Sequence, residues 1–266
     1  MKTGFYEAVH HCLRLSDTAS KCEQVVHLPG LLSGNPIALD EHFPVEAVEV
    51  PGRPDRPELV EPSLVPRRRP GSLQGRAALI HAIAHIEFNA INLALDAAYR
   101  FRGMPAQFYR DWISVALDEA RHFQMLQQRL QEMGFSYGDF PAHNGLWEMA
   151  VKTAHSCLVR MALVPRVLEA RGLDVTPGMM QRLSSAGDKE TVAVLEVILD
   201  EEVRHVAIGT HWFRYCCQQE GKAPLPTFLQ LLEKNYSGTL RGPFNLEARY
   251  RAGFTEEEMA ALTAGL

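Results

Sequence analysis

Apolar residues recur at three- and four-residue steps along four long stretches, which is the spacing of one face of an α-helix. In the first stretch, residues 72–101, no proline occurs and the repeat runs through Leu79, Ile83, Ile86, Ala90, Leu93 and Ala97. Further stretches of this kind cover about 105–133, 146–171 and 188–219. Helices of such length are far above the average and favour antiparallel neighbours in a bundle. The pattern therefore predicts an all-α fold built on a four-helix bundle, with no competing strand pattern.

Proline and glycine predict where these helices bend and end. Pro165 lies inside the third stretch and should kink it, because proline lacks the backbone N–H that helix bonding needs. Gly172 is expected to end that helix, with a loop over residues 172–187. Shorter helices are expected at about 226–235 and 255–264.

The density of proline divides the chain into three parts. Residues 28–71 hold nine of the sixteen prolines, which forbids long helices and is typical of an extended segment that wraps the surface. We therefore expect short helices and a wrapping segment over residues 1–71, a four-helix bundle over 72–221, and a helical cap over 222–266.

Composition narrows the class of protein. Apolar residues make up 46% of the chain and charged residues 22%, as in an ordinary globular protein, and the formal charge is −5. That charge argues against nucleic-acid binding through a basic surface, although a tRNA partner stays open. No run of 18 apolar residues occurs, and five cysteines without a CxxC pair predict reduced thiols. We expect a soluble, cytoplasmic protein.

Eleven histidines beside 22 glutamates raise the question of a metal site. Glu-x-x-His places a carboxylate and an imidazole one turn apart on one helix face, but about one match is expected by chance from this composition. The chain has three matches, Glu7–His10, Glu119–His122 and Glu202–His205. The first has no partner elsewhere in the chain, so we interpret it as a chance match.

The other two matches belong to a repeat. Both have the form acidic-Glu-x-Arg-His and lie in the middle of a long predicted helix. Glu87 precedes Glu119 by 32 residues, and Glu169 precedes Glu202 by 33. Each half is thus a helix with a central glutamate, a turn, and a helix with the motif, which is the ligand pattern of a di-iron bundle. Six metal ligands are predicted: Glu87, Glu119, His122, Glu169, Glu202 and His205.

Four carboxylates facing one core need cations, because buried unpaired charge is costly. Carboxylates and imidazoles suit iron or manganese better than structural zinc, so we expect two iron ions, with a Mn/Fe pair as the alternative. Glu119 and Glu202 are the expected bridging ligands. Four neighbouring charges are expected to orient the histidines: Asp118, Arg121, Glu201 and Arg204. The alternative for these four is ordinary surface ion pairing.

Other candidate residues have plainer interpretations. His81 and His85 lie one turn apart on the first long helix, but on a different face from Glu87, so we expect core or inter-helix roles for them. Six apolar residues lie one turn from the ligands: Ile83, Ile91, Val115, Phe123, Ile198 and Val206. They predict either an apolar substrate pocket or a plain bundle core.

Five stretches resemble a known bacterial family, the domain of unknown function 455, within the ferritin-like superfamily. They are 81–87 (HAIAHIE), 119–123 (EARHF), 137–143 (YGDFPAH), 169–174 (EARGLD) and 243–249 (PFNLEAR). The resemblance implies a fold and a metal site, and no substrate. More distantly, the paired motif is similar to that of di-iron monooxygenases and of a tRNA-modifying hydroxylase. Glu201 departs from the aspartate that is usual in such monooxygenases.

Three functions are compatible with these patterns. The first is an O2-activating oxidoreductase, a hydroxylase or desaturase, with O2, an apolar small molecule and an electron-donor protein as partners. The second is a ferritin-like protein that binds or oxidises iron without an organic substrate. The third is a non-catalytic protein whose metal ions only hold the bundle together. The residues leave a homodimer open in each case.

Overall fold

The computed structural model describes residues 4–34, 37, 39–66, 70–235, 240 and 242–264. The predicted all-α class is confirmed, since the described part of the chain contains helices and no β-strand beyond one isolated bridge between Leu59 and Ala142. Its α-helices are α1 (Phe5–Arg14), α2 (Thr18–His27), α3 (Leu73–Arg100), α4 (Ala106–Glu132), α5 (Gly145–Lys152), α6 (Cys157–Leu163), α7 (Ala170–Ser185), α8 (Lys189–Gln219), α9 (Pro224–Asn235), α10 (Leu246–Arg251) and α11 (Glu256–Ala264). A π-helical turn, Val164–Glu169, joins α6 to α7.

Three of the four long predicted helices are confirmed within one or two residues, as α3, α4 and α8. The starts of α3 and α8 are set by local chemistry: the side chains of Ser72 and Asp188 accept hydrogen bonds from the first-turn N–H groups of Gly75 and Thr191. Gly134 follows α4 with φ 81°, a conformation that glycine adopts without strain. Helix bounds in this part of the chain therefore follow directly from residue type.

The third predicted helix is wrong as a single element. It is divided into α5, α6, the π-turn and α7, and the chain continues as helix through Gly172 to Ser185 where a loop was expected. At Pro165 the helix widens: the N–H of Ala170 donates to the Pro165 carbonyl, five residues back. The proline ring has room only because Gly209 on α8 lacks a side chain, since a Cβ there would lie 2.2 Å from the Pro165 Cβ.

Pro177 lies inside α7 and is tolerated for a tertiary reason. Proline at this position leaves the carbonyl four residues earlier, that of Leu173, without its helical donor. The side-chain amide of Asn245 donates to that carbonyl at 3.2 Å. The backbone N–H of Asn245 donates to Asp174, whose carboxylate also accepts two hydrogen bonds from Arg249. Two stretches that carry the family resemblance, 169–174 and 243–249, therefore bind each other.

Contacts divide the chain into two units, residues 1–151 and 152–266. In the first unit α3 and α4 form an antiparallel hairpin: His122 contacts Glu87 in the middle, and the Tyr109 hydroxyl donates to the Phe101 carbonyl near the turn. Helices α1 and α2 pack on this hairpin. The three-part division predicted from proline density stays a prediction.

A buried lysine ties the N-terminal segment to this hairpin. The Lys21 amine donates to the carbonyls of Leu13 and Gly52, at 3.1 and 2.8 Å, and to the Asn92 side chain on α3. Gly52 approaches so closely that a Cβ would lie 2.3 Å from the Arg14 carbonyl. The extended segment thus follows the surface of α1, as its proline content predicts, and is held there by an amine with three acceptors.

The second unit packs the α6–π–α7 rod against α8, and α9 and α10 contact the same helices. Pro165 faces Gly209, and Met180 lines a common surface cleft with Leu199, so the rod and α8 run antiparallel.

In the first unit, α3 contains a window with mean hydropathy 1.4, apolar enough to cross a membrane, but 78% of it is buried in the protein. Its burial is that of a core helix.

Candidate metal centre

One carboxylate of α3 and the first Glu-x-x-His of α4 form a buried cluster in the first unit. Glu87, Glu119 and His122 each place one donor atom within 4.8 Å of the others. The His122 Nδ1 lies 3.1 Å from a Glu87 oxygen and 3.6 Å from a Glu119 oxygen. Their side chains are 0–6% exposed. Three predicted ligands therefore converge on one point, as the antiparallel hairpin requires.

The pKa values of these groups show which of them hold protons. Burial is the largest cause, and the neighbouring Glu119 the next, of a rise in the pKa of Glu87 to about 8. Burial alone would lower the pKa of His122, but hydrogen bonds to Glu119 and Glu87 outweigh it and raise the pKa to about 11. The cluster therefore retains protons between its carboxylates and its imidazole. A divalent cation would replace those protons, because metal ligands bind in their deprotonated forms.

The donor set decides which cations fit. Two carboxylates and one imidazole nitrogen are ligands that iron and manganese accept, whereas structural zinc sites usually include thiolates. None of the three residues is a cysteine, and all three are held on helices rather than loops. The cluster is compatible with a metal ion of the iron or manganese type, and with the buried negative charge that such an ion would neutralise.

The second unit contains the matching three residues. His205 is fully buried, and its Nδ1 lies 3.2 Å from a carboxylate oxygen of Glu202, three residues earlier on α8. Glu169 is the last residue of the π-turn, and its Oε2 is buried. The rod and α8 run antiparallel and touch where Pro165 meets Gly209. Glu169 follows Pro165 by four residues and His205 precedes Gly209 by four, so these two residues lie at the same level along the helices. The contact of Glu202 with His205 thus repeats that of Glu119 with His122, and Glu169 lies on the facing segment as Glu87 does.

The neighbouring charges take surface positions. Arg121 pairs with Asp118 one turn earlier at 3.2 Å, and the two side chains are 44% and 24% exposed. Glu201 is half-buried and Arg204 is exposed. The Asp118–Arg121 pair has the form expected of a surface ion pair on a helix. Roles for the four charges in orienting His122 and His205 stay predictions.

Glu7 and His10 do not form a ligand pair. The His10 ring stacks on Tyr99, with ring centroids 4.8 Å apart, and its Nε2 lies 3.8 Å from Glu46. The backbone N–H of Glu7 donates to Asp40. These contacts support the interpretation of Glu7–His10 as a chance match.

His81 and His85 are buried, as the predicted core role requires, and they contact the loop after α4. The Tyr137 hydroxyl lies 2.9 Å from the His85 Nδ1, and the Gly138 N–H donates to the His81 Nε2. The His143 carbonyl lies 3.2 Å from the other His85 nitrogen. Two more stretches that carry the family resemblance, 81–87 and 137–143, therefore contact each other, and they fix the loop after α4 on the helix that bears Glu87.

Sequence reasoning missed a buried ion pair close to Glu169 in the chain. Arg166, three residues earlier, is fully buried and pairs with Glu258 of α11. No spacing rule connects positions 92 residues apart, so only an arginine inside an apolar stretch hinted at a buried partner. The apolar residues flanking the ligands, including Ile83, Val115 and Phe123, are buried as both of their interpretations require.

The described part of the chain is helical and contains a buried cluster of carboxylates and a histidine, so it is a helical protein with a candidate metal centre. The chain belongs to the family described as "Protein of unknown function (DUF455)", which it matches over residues 14–260. It is 43% identical to an uncharacterized protein of Haemophilus influenzae over 268 aligned residues, which cover 97% of this chain and 93% of that protein. No solved structure matches the chain.

Proposed function

We propose that this chain is a dinuclear iron-carboxylate protein that activates O2 as an oxidoreductase of the hydroxylase or desaturase type. The observation that carries the proposal is the buried cluster of Glu87, Glu119 and His122. The sequence repeat adds Glu169, Glu202 and His205 as the matching half, and local geometry in the second unit supports that assignment. In this proposal all six residues would hold iron.

Bound iron would supply redox chemistry with O2 that no protein side chain provides. The chain's own residues would hold the ions and exclude water. Glu87 and His122 would give up protons as a metal ion binds, since burial and hydrogen bonding keep them protonated in its absence. The rigid helices α3, α4 and α8 would fix the ligand atoms, and the apolar residues around them would keep the site dry.

The proposal implies partners outside the chain. O2 and an apolar small molecule would be the substrates, and an electron-donor protein would reduce the iron between turnovers. A cytoplasmic location fits this chemistry, because a reducing compartment keeps Fe(II) and the five free thiols reduced. A dimer and a tRNA substrate are further proposals that the residues leave open.

Metal analysis with matched variants tests the binding step. The wild-type chain should contain two iron ions per chain after anaerobic loading, measured by elemental analysis. Glu119→Gln and Glu202→Gln replace proposed ligand carboxylates by amides of the same shape and should lose most of that iron. Glu196→Gln changes an exposed carboxylate on the same helix as Glu202 and should retain both ions. Wild-type protein without bound iron, or with iron that Glu119→Gln retains, would refute the site.

Reaction with O2 separates the functions. The reduced, iron-loaded protein is mixed with O2 and its oxidation is followed by optical spectroscopy. Oxidation faster than that of free Fe(II), with an optical transient, supports O2 activation. Fast oxidation that accumulates ferric mineral, together with a 12- or 24-subunit particle, would instead favour the ferritin-like alternative. Oxidation no faster than that of free Fe(II) would leave a non-catalytic metal-binding protein as the better function.

A further inference from the structure

Arg166 is a fully buried cation in the π-turn that precedes Glu169. Its guanidinium donates to the Glu258 carboxylate at 2.5 Å. The guanidinium carbon lies 4.0 Å from the centroid of the Phe228 ring, 4.6 Å from that of Phe213 and 4.7 Å from that of Phe254. One ion pair and three aromatic faces therefore hold this group, and cation–π attraction strengthens when water is excluded.

The partner carboxylate is itself fixed in place. Glu258 and Thr255 form a reciprocal cap at the start of α11: the Thr255 N–H donates to the Glu258 carboxylate at 2.9 Å, and the Glu258 N–H donates to the Thr255 hydroxyl at 3.1 Å. Arg214 adds a second cation 3.8 Å from Glu258 and donates to the Gly253 carbonyl. Arg166 thus holds the π-turn to the first turn of the C-terminal helix.

Stability alone gives a weak reason for such a pair. Removing two charges from water costs several kcal/mol per ion, and buried pairs can often be replaced by apolar residues without loss of stability. Unlike an apolar contact, an ion pair with directional hydrogen bonds holds its two side chains in one relative orientation. The π-turn needs that support, because its backbone hydrogen bonds are irregular and Pro165 removes one donor. Its last residue is Glu169, whose position has to be accurate for a metal ligand.

We infer that Arg166 is a positioning residue for Glu169. Its ion pair with Glu258 and its contacts with the three phenylalanines set the rotation of the π-turn, and so keep the Glu169 carboxylate level with His205. The C-terminal helix α11 thereby controls the affinity of the metal position formed by Glu169, Glu202 and His205. This inference rests on the proposed metal site, and it assigns a task to residues 253–258, which contribute no ligand.

Titration with Co(II) tests the inference, because Co(II) reports its ligands through its visible absorption and needs no turnover. The test variant is Arg166→Met with Glu258→Leu, which replaces the buried pair by apolar side chains and, apart from the lost cap on the Thr255 N–H, should cost little stability. The wild type should bind two Co(II) ions. The variant should bind one ion as before and the second at least about tenfold more weakly, as when residues that orient metal ligands are changed.

Selective loss of one ion is a result that general destabilisation would not give. Arg251→Met is the matched control, because it removes an exposed ion pair between the same C-terminal segment and Asp200 of α8 and should keep both ions. Arg166→Lys preserves the charge and should weaken the second ion less than the double variant. If the double variant does not fold, the titration is done with Arg166→Lys alone. Wild-type affinity of that variant for both Co(II) ions would then overturn the inference.

The results distinguish the inference from the proposed function. Two ions bound with wild-type affinity and an unchanged visible spectrum in the double variant would overturn the role of Arg166 and leave the metal site intact. A wild-type chain that binds no Co(II) would refute the proposed function, and the inference with it.

Discussion

Replacing Gly209 by alanine should destabilise this protein, although alanine is the better helix former. A Cβ at position 209 would lie 2.2 Å from the Pro165 Cβ and 2.3 Å from its Cγ, whereas ordinary contact begins at 3.4 Å. The π-turn and α8 must therefore separate by roughly 1.2 Å at this point. Overpacking of a core costs about 1–3 kcal/mol, and the change from glycine to alanine in a helix returns up to about 1 kcal/mol.

An overlap this large puts the cost at the upper end of that range, so the net loss should be about 2 kcal/mol, which lowers the melting temperature by roughly 4–8 °C in a chain of this size. Thermal unfolding of the metal-free protein, followed by circular dichroism, measures it. Gly178→Ala is the matched control, because Gly178 is exposed inside α7 and a Cβ there meets nothing within 4 Å. That variant should gain up to about 1 kcal/mol from helix propensity alone.

A Gly209→Ala protein as stable as the wild type would refute the packing of Pro165 on α8. So would a Gly178→Ala protein that loses as much stability as Gly209→Ala, since the effect would then not depend on the contact. The measurement needs no metal, and its outcome is therefore independent of the proposed function.

Three further predictions follow from buried charges. Burial lowers the pKa of Lys21 to about 7, so between pH 7 and 10.5 the unfolded chain holds a proton that the folded chain lacks. The free energy of unfolding should therefore rise with pH over this range, by up to about 1.4 kcal/mol per pH unit. In denaturant titrations Lys21→Met should remove most of this dependence on pH. Burial raises the pKa of Glu87, which means that its charged form destabilises the metal-free fold. Metal-free Glu87→Gln should therefore have a higher melting temperature than the wild type at pH 8, and iron should raise that temperature less. A lower melting temperature would contradict this. Arg249→Met leaves Asp174 buried without its bidentate partner and should cost about 3–5 kcal/mol in urea unfolding, and a loss below 1 kcal/mol would show that the pair is not formed.

Much of the site could be predicted from local spacing. Glu119 and His122, like Glu202 and His205, lie one turn apart on a helix whatever surrounds that helix, so each pair follows from three-residue spacing. The convergence of Glu87 on the first pair follows from a short turn between two long helices, because such a connection forces an antiparallel hairpin. Periodicity and chain direction were sufficient for these residues.

Glu169 could be assigned as a candidate ligand from its spacing, but the path of the chain around it could not. Proline and glycine rules placed a kink at Pro165 and a helix end at Gly172, and both rules describe a helix without tertiary neighbours. Asn245, which supplies a donor to the carbonyl that Pro177 leaves free, is 72 positions from Leu173. A contact of that separation leaves no periodic signal along the chain.

The sequence by itself determined the helical class, the bounds of α3, α4 and α8, and the two motifs with their preceding glutamates, because each depends on residues at most one turn or one hairpin apart. Tertiary structure alone decided that the chain stays helical through Pro165 and Pro177. Gly209 makes room for one proline ring, and Asn245 donates to the Leu173 carbonyl that the other proline leaves free. A proline removes a local hydrogen bond in every context, but only a distant neighbour can supply its replacement.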